Sequence, residues 1–112
     1  MRIERVVAVL EKEVSLIISQ ELKDPRLGLV TITRVMVKPD LKNAVIFFTT
    51  LGDKKQDLAT LQHAKGFIRT MLAQRIRMRF IPEIEFMFDE SYEYGQKMEK
   101  FFEQISKDHK AE

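Results

Sequence analysis

Five cationic side chains with no acidic residue between them are the feature of this sequence most suited to chemistry. They are Lys65, Arg69, Arg75, Arg77 and Arg79, and the nearest acids on either side are Asp57 and Glu83. Arginine suits phosphate because its planar guanidinium group donates two hydrogen bonds at once. A simpler explanation is that cations near a helix C-terminus complement the helix dipole. Five cations exceed what one helix end needs, so the sequence predicts contact with RNA phosphates.

Motifs for catalysis, metal binding and cofactor binding are missing from the sequence. The four glycines lie far apart, so they form neither a Walker A loop nor a dinucleotide-binding motif. The chain has no cysteine, and neither His63 nor His109 has further ligands at metal-binding spacing. We therefore expect a protein that is not an enzyme, with no catalytic residue, no metal and no cofactor.

Length and composition indicate one globular domain. The 112 residues are 45% hydrophobic and 32% charged, with a net charge of +2, which is typical of a folded protein. Apolar runs are far shorter than the roughly 18 residues of a membrane span, and no signal peptide is recognisable. We expect a cytoplasmic protein with a single domain over residues 1–106 and a short polar tail over residues 107–112.

Hydrophobic periodicity predicts the elements of the first half of the chain. Apolar residues recur at intervals of three and four over residues 3–22, which predicts an amphipathic helix ended by Pro25. Two runs rich in β-branched residues follow, Val30–Val37 and residues 43–51, with turn residues between them. We predict that these two strands pair as an antiparallel hairpin.

The second half of the chain is predicted to be two helices, a strand and a last helix. The helical period runs over residues 57–76 and contains Gly66, so we expect two helices meeting near Ala64, or one helix kinked there. Residues 83–88 alternate as a half-buried strand, and an apolar stripe predicts a last helix after Asp89. The fold class is therefore α+β, in the order α-β-β-α-α-β plus a C-terminal helix, with helices covering one face of a three-stranded sheet.

A set of short motifs runs through residues 5–95 in a fixed order. They are Arg5-Val6, Asp24-Pro25-Arg26, Thr31-Ile32-Thr33-Arg34-Val35, Asp40-Leu41, Ala44, Leu61, Ala64-Lys65-Gly66-Phe67-Ile68-Arg69, Leu72, Arg79-Phe80-Ile81-Pro82, Phe86, Phe88, Asp89 and Ser91. In this order and spacing, the chain resembles the ribosome-binding factor A family. Members of that family are bacterial factors that assist late maturation of the small ribosomal subunit.

The resemblance implies a type II KH-like fold with a helix-kink-helix in place of the GXXG loop. An ordinary KH domain clamps single-stranded nucleic acid with that loop, whereas this chain has Ala64-Lys65-Gly66 at the same place. Ala64 and Gly66 would shape the kink. We expect glycine to be required at position 66 by a close backbone approach or by a permissive dihedral angle.

The resemblance also implies a function. The protein would bind the immature small (30S) subunit and promote late rRNA processing and folding, without an enzymatic step. A ribosome-associated GTPase would aid its release, and the factor would act as a monomer with a role in cold adaptation. Two alternatives stay open at this point, a general single-stranded RNA-binding module and a protein-interaction adaptor that uses an acidic last helix.

Residues of the expected RNA-binding site fall into two groups. The five cations named first, here called the basic cluster, are expected to contact phosphate from one helical surface. Arg75, Arg77 and Arg79 are predicted to lie at the end of the helical stretch that Phe80-Ile81-Pro82 closes. Secondary candidates could reach rRNA from a loop or a sheet edge, and they are Arg26, Arg34, Lys38 and Lys42.

Overall fold

The computed structural model describes residues 2–91 and has a mixed α+β fold. The helices are α1 (Ile3–Leu16), α2 (Lys54–His63) and α3 (Lys65–Arg75), and the strands are β1 (Val30–Val37), β2 (Asn43–Thr50) and β3 (Glu83–Phe88). The sheet order is β1-β2-β3, with β1 antiparallel and β3 parallel to β2. The predicted order is confirmed through β3, while the predicted last helix and the tail over residues 107–112 lie outside the described residues. No helix within residues 2–91 is long and apolar enough to span a membrane.

Helix α1 is amphipathic, as its sequence period predicts. Its fully buried residues recur at every fourth position and are Val6, Leu10 and Val14. Beyond Leu16 the helix continues as a π-helical turn over Ile17–Glu21, in which the N–H of Leu22 donates to the carbonyl of Ile17 at 2.9 Å. The prediction of one helix over residues 3–22 therefore has the right extent, but its last turn is wider than an α-helical turn.

One face of the sheet forms the core together with the helices. Ile46 and Phe48 of β2 and Ile84 and Phe86 of β3 are each at most 1% exposed. They alternate with outward-facing residues because successive side chains of a strand point to opposite faces. Helix α1 packs mainly on β1, and α2 and α3 pack on β3. The prediction of a sheet covered on one face by helices is confirmed.

A buried carboxylate ties the loop before β1 to the end of β2 and to α2. Asp57 is 1% exposed, and its carboxylate oxygens accept hydrogen bonds from the Gly28 N–H at 3.0 Å and the Thr50 hydroxyl at 2.6 Å. A Cβ atom at Gly28 would lie 2.9 Å from both an Asp57 oxygen and the Gly52 Cα atom. Glycine is therefore required at position 28 by close approach.

The break between α2 and α3 falls on one residue, Ala64. Its φ and ψ angles of −86° and 2° interrupt the helical geometry, and α3 starts at Lys65. Two helices meeting at Ala64 were one of the two predicted arrangements. The explanation expected for Gly66 is wrong, because no described glycine has a positive φ and a Cβ atom at Gly66 would meet nothing within 4 Å.

Helix α3 ends earlier than the sequence predicts. It stops at Arg75, and Ile76 is extended with φ −120° and ψ 147°. The placement of Arg77 and Arg79 at a helix end is therefore wrong, since both lie on the irregular segment of residues 76–82. Apolar and basic residues alternate in that segment with a period of two, which is typical of extended backbone with one side buried.

Candidate RNA-binding surface

Lys65 lies beside an acid that is distant in sequence. Its Nζ atom is 2.9 Å from Glu85 Oε1, on strand β3. The Lys65 ammonium and the Gln62 amide both donate to the Glu85 carboxylate, and they hold its pKa below its usual value. The charge of Lys65 is therefore partly compensated within the fold.

Arg69 uses its guanidinium group to hold the segment that follows α3. Its Nε atom donates to the Pro82 carbonyl at 3.1 Å and its Nη2 atom to the Ile81 carbonyl at 3.0 Å. Its Nη1 atom lies 3.3 Å from a Glu83 oxygen. With three nitrogen atoms engaged inside the protein, Arg69 positions the neighbouring chain and has little capacity left for phosphate.

Arg75 joins α3 to the first helical segment. It forms ion pairs with Glu13 at 3.2 Å and with Glu21 at 2.9 Å, and its side chain is only 25% exposed. Hydrogen bonds between two ionised groups are stronger than those between neutral ones. Arg75 therefore packs two helices together.

Arg77 and Arg79 are the two cations of the basic cluster that remain available to a partner. Both are exposed, and within residues 2–91 neither has an ion pair or a hydrogen bond of its side chain. The Arg79 guanidinium carbon lies 5.6 Å from the centre of the Phe80 ring, within the range of a cation–π interaction.

These two arginines line a cleft of about 800 Å³. One wall is the segment of residues 76–82, and the other is the turn between β1 and β2. Its lining residues are Asp40, Leu41, Lys42, Arg69, Arg77, Met78, Arg79, Phe80, Ile81 and Glu83. The structure thus brings one secondary candidate, Lys42, into the same cleft as three of the five primary ones.

Local hydrogen bonds shape the turn that carries Lys42. The Asp40 carboxylate accepts from the Lys42 N–H at 3.0 Å, and Leu41 adopts a left-handed backbone conformation with φ 62°. The Lys42 carbonyl accepts from the Glu83 N–H at 2.9 Å, which joins the turn to the start of β3. The Lys42 side chain is exposed beside the cleft.

The other secondary candidates are not brought to this cleft. Arg26 is engaged by Asp24 at 2.8 Å, and its side-chain and backbone hydrogen bonds lower the pKa of Asp24 to about 2. Arg34 lies on the sheet face opposite the helices, with its guanidinium carbon 4.4 Å from the Phe47 ring centre. Lys38 is exposed at the end of β1 but does not line the cleft.

Sequence reasoning missed the cleft because it treated the cations as one helical surface. The signal that could have found it is the alternation of apolar and basic residues over residues 76–80, followed shortly by Pro82. Within residues 2–91 no group of three histidines, cysteines or acids could hold a metal ion.

Comparison with known proteins decides the family. The sequence model of the ribosome-binding factor A family matches residues 2–102 of the chain. The chain belongs to the ribosome-binding factor A family. The match covers the whole described structure, including the Ala64 junction and the cleft.

Solved structures of ribosome-binding factor A proteins are similar to this chain. The crystal structure of the factor from Thermus thermophilus has 29% sequence identity and a TM-score of 0.73, over 78% of this chain and 94% of that one. A Thermus thermophilus homology model, fitted into a cryo-EM map of a 30S complex of the factor, has 30% identity and a TM-score of 0.66, over 75% and 91%. The solution structure of a Thermotoga maritima protein, assigned to the same family, has 36% identity and a TM-score of 0.61, over 78% and 90%.

Proposed function

We propose that this protein binds the small ribosomal subunit through rRNA phosphates at the cleft between the β1–β2 turn and residues 76–82. The observation that carries the proposal is the pair of exposed arginines, Arg77 and Arg79, whose side chains have no ion pair or hydrogen bond within the described residues. Lys42 adds a third cation to the same cleft. A related Thermus thermophilus factor was fitted into a cryo-EM map of its complex with the 30S subunit, and this supports the small subunit as the partner.

We infer that the fold is a type II KH-like one. The order of helices and strands through β3 supports this inference, and in such a fold the Ala64 junction would stand in place of the GXXG loop. A GXXG loop clamps the backbone of four nucleotides. Since this chain carries Ala64-Lys65-Gly66 there, recognition depends on phosphate position and RNA shape more than on a backbone clamp.

The proposed action is conformational and needs no covalent step. A binding protein changes the folding of rRNA only if it binds one rRNA arrangement more tightly than another. We propose that the factor prefers the immature small subunit and so promotes late rRNA processing and folding. Action in the cytoplasm as a monomer, release aided by a ribosome-associated GTPase and a role in cold adaptation belong to the same proposal.

Co-sedimentation with immature and mature small subunits tests this proposal. The informative variant is Arg77→Ala with Arg79→Ala, because both side chains are exposed and make no described ion pair. The matched control is Lys12→Ala with Lys23→Ala, which removes the same charge from exposed positions away from the cleft. We expect the arginine variant to lose most subunit binding and the lysine variant to retain it.

Each result of this experiment decides between functions. Equal loss in both variants would mean that net charge, and no particular site, controls binding. Equal binding of short single-stranded RNA and of subunits would favour a general RNA-binding module. Unchanged binding in the arginine variant would move the site away from the cleft, and no subunit binding by the wild type would refute the proposed function.

A further inference from the structure

The cleft beside Arg77 and Arg79 contains an apolar surface that phosphate binding does not use. Phe80 is 74% exposed there, and the lining also includes Leu41, Met78 and Ile81. Phosphate is bound by cations and N–H donors, so an aromatic ring adds nothing to it. An exposed aromatic ring beside several cations is the combination with which proteins bind unpaired bases.

Both walls of the cleft are held in place by the protein. Arg69 fixes one wall through the carbonyls of Ile81 and Pro82. The other wall is joined to it by the hydrogen bond between the Glu83 N–H and the Lys42 carbonyl. A site that is already ordered loses less conformational entropy when a ligand binds.

Charges inside the cleft favour a polyanion. The acid Glu83 lies 3.3 Å from the guanidinium group of Arg69, and Asp40 accepts a backbone hydrogen bond from Lys42. Both acids are thus engaged within the fold. Lys42, Arg77 and Arg79 line the cleft and are exposed, so their side chains are accessible to the phosphates of a polyanion.

The cleft is separate from the Ala64 junction. Ala64 precedes the N-terminus of α3, whereas residues 76–82 follow its C-terminus. The cleft reaches back along α3 only as far as Arg69, and none of the residues Ala64, Lys65 and Gly66 lines it. A ligand in the cleft is therefore held by residues other than those of the junction.

We propose that this cleft binds one unpaired nucleotide of an RNA chain. The base stacks on Phe80, and the phosphates on either side of it contact Arg77, Arg79 and Lys42. A base inside a duplex cannot occupy the site because both of its faces are already stacked. The inference rests on the proposed function, in which rRNA is the partner, and adds that the factor reads an unpaired position in it.

The test compares two RNA hairpins that differ only by one bulged nucleotide. Fluorescence anisotropy measures the affinity of the full chain for each hairpin at one salt concentration. We expect the wild type to bind the bulged hairpin about five- to a hundredfold more tightly, the range that stacking of one base provides. Phe80→Ala removes this preference without changing the affinity for the paired hairpin, whereas Phe80→Tyr retains it.

Further variants separate stacking from other causes. Phe80→Leu keeps apolar volume but not the ring, so it behaves like Phe80→Ala if stacking is responsible. Leu51→Ala is the control, since Leu51 is 85% exposed and lies outside the cleft. A free nucleoside monophosphate should displace the bulged hairpin only at far higher concentration, because it lacks the flanking phosphates.

Several results would overturn the proposal. Equal affinity of the wild type for both hairpins, or no binding to either, refutes the nucleotide site, while subunit co-sedimentation still decides the proposed function independently. Full retention of the preference in Phe80→Ala also refutes it. A loss of subunit binding in Phe80→Ala with unchanged hairpin preference would assign Phe80 to a protein contact, and displacement by a monophosphate at equal concentration would make the cleft a mononucleotide site.

Discussion

At the scale of single residues, the fold divides the cations by the partners it gives them. Arg69 and Arg75 have acceptors inside the protein, whereas Arg77 and Arg79 have none among the described residues. A cation already bound to a carboxylate must give up that interaction before it binds phosphate. The available sites are therefore fewer than the five that the sequence predicts.

The pKa of Asp24 reports on the hydrogen bonds that this carboxylate accepts from Arg26. Hydrogen bonds from Arg26 lower its pKa from 3.8 to about 2 in the folded protein. The folded pKa lies below the unfolded one, so the stabilising contribution is present above pH about 4 and is lost as the pH falls to about 2. NMR titration of the Asp24 carboxyl should show this pKa in the wild type and a higher pKa in Arg26→Ala, which loses the side-chain hydrogen bonds but keeps the backbone one. Identical titrations would contradict the assigned cause.

Replacement of the buried Asp57 should lower the free energy of unfolding, because two donors depend on its carboxylate. Asp57→Ala leaves the Gly28 N–H and the Thr50 hydroxyl without their acceptor in a buried place. We expect the free energy of unfolding to fall by about 2–4 kcal/mol, as measured by urea denaturation. Asp53→Ala at the exposed N-cap of α2 is the comparison and should cost about 1 kcal/mol. A similar cost for both variants would argue against a special role for the buried cluster.

At the scale of elements, the junction of α2 and α3 and the end of α3 determine where the cations face. The break at Ala64 places Lys65 and Arg69 near the acids of β3. The end of the helix at Arg75 frees the next residues to form one wall of the cleft. Both features give the cations positions that differ from those on one continuous helix.

Gly66 should be replaceable as far as stability is concerned. It lies in the first turn of α3, its φ is not positive, and a Cβ atom there would be in open space. Gly66→Ala should raise the free energy of unfolding by about 0.5 kcal/mol, since alanine favours helix and restricts the unfolded chain. Thermal unfolding measures the change, and a lower stability would show that the junction does need glycine. A loss of subunit binding in a stabilised variant would instead place Gly66 at the interface.

Replacement of Arg75 should lower the free energy of unfolding, because this side chain joins two helices. Arg75→Gln breaks the ion pairs with Glu13 and Glu21 that connect α3 to the first helical segment. We expect a loss of about 1 kcal/mol in urea denaturation, because the guanidinium group is partly buried and holds two carboxylates. Arg77→Gln is the matched change just beyond the helix and should leave stability unchanged. Equal stability of the two variants would remove the bridging role.

At the scale of the whole molecule, the proposed binding surface is small and its charge is local. The net charge is only +2, so long-range attraction to RNA would be weak and the proposed contact would depend on the cleft. The rest of the described surface is mixed in character, with exposed apolar residues such as Leu51 and Met87. The proposed binding would therefore distinguish RNA by the geometry of a few contacts.

The salt dependence of subunit binding should show how many phosphates the protein neutralises. Three phosphates neutralised by Lys42, Arg77 and Arg79 predict a slope of about −2 to −3 in a plot of log affinity against log salt concentration. Five contacts would predict a slope of about −4. Filter binding to small subunits at several salt concentrations measures the slope, and the double variant Arg77→Ala with Arg79→Ala should make it less steep by about 1 to 2 units. An unchanged slope would mean that other cations contact the rRNA.

Hydrophobic period and turn residues by themselves determined the elements and their order. Val30–Val37 and Glu83–Phe88 were predicted with the bounds that the structure has, because alternation and β-branched residues are local signals. The helix of residues 3–22 and the break near Ala64 followed from the helical period and a glycine within it. The family resemblance drew on the same kind of information, since its motifs are short and ordered along the chain.

Only the tertiary structure decided which cations are available. Glu83 and Glu85 are distant in sequence from Lys65 and Arg69, and the packing of α3 on β3 brings them together. Arg75 meets acids of the first helical segment because α3 packs against it. The cleft likewise joins the β1–β2 turn to the segment that follows α3. Such contacts depend on packing between distant parts of the chain, and no local pattern encodes them.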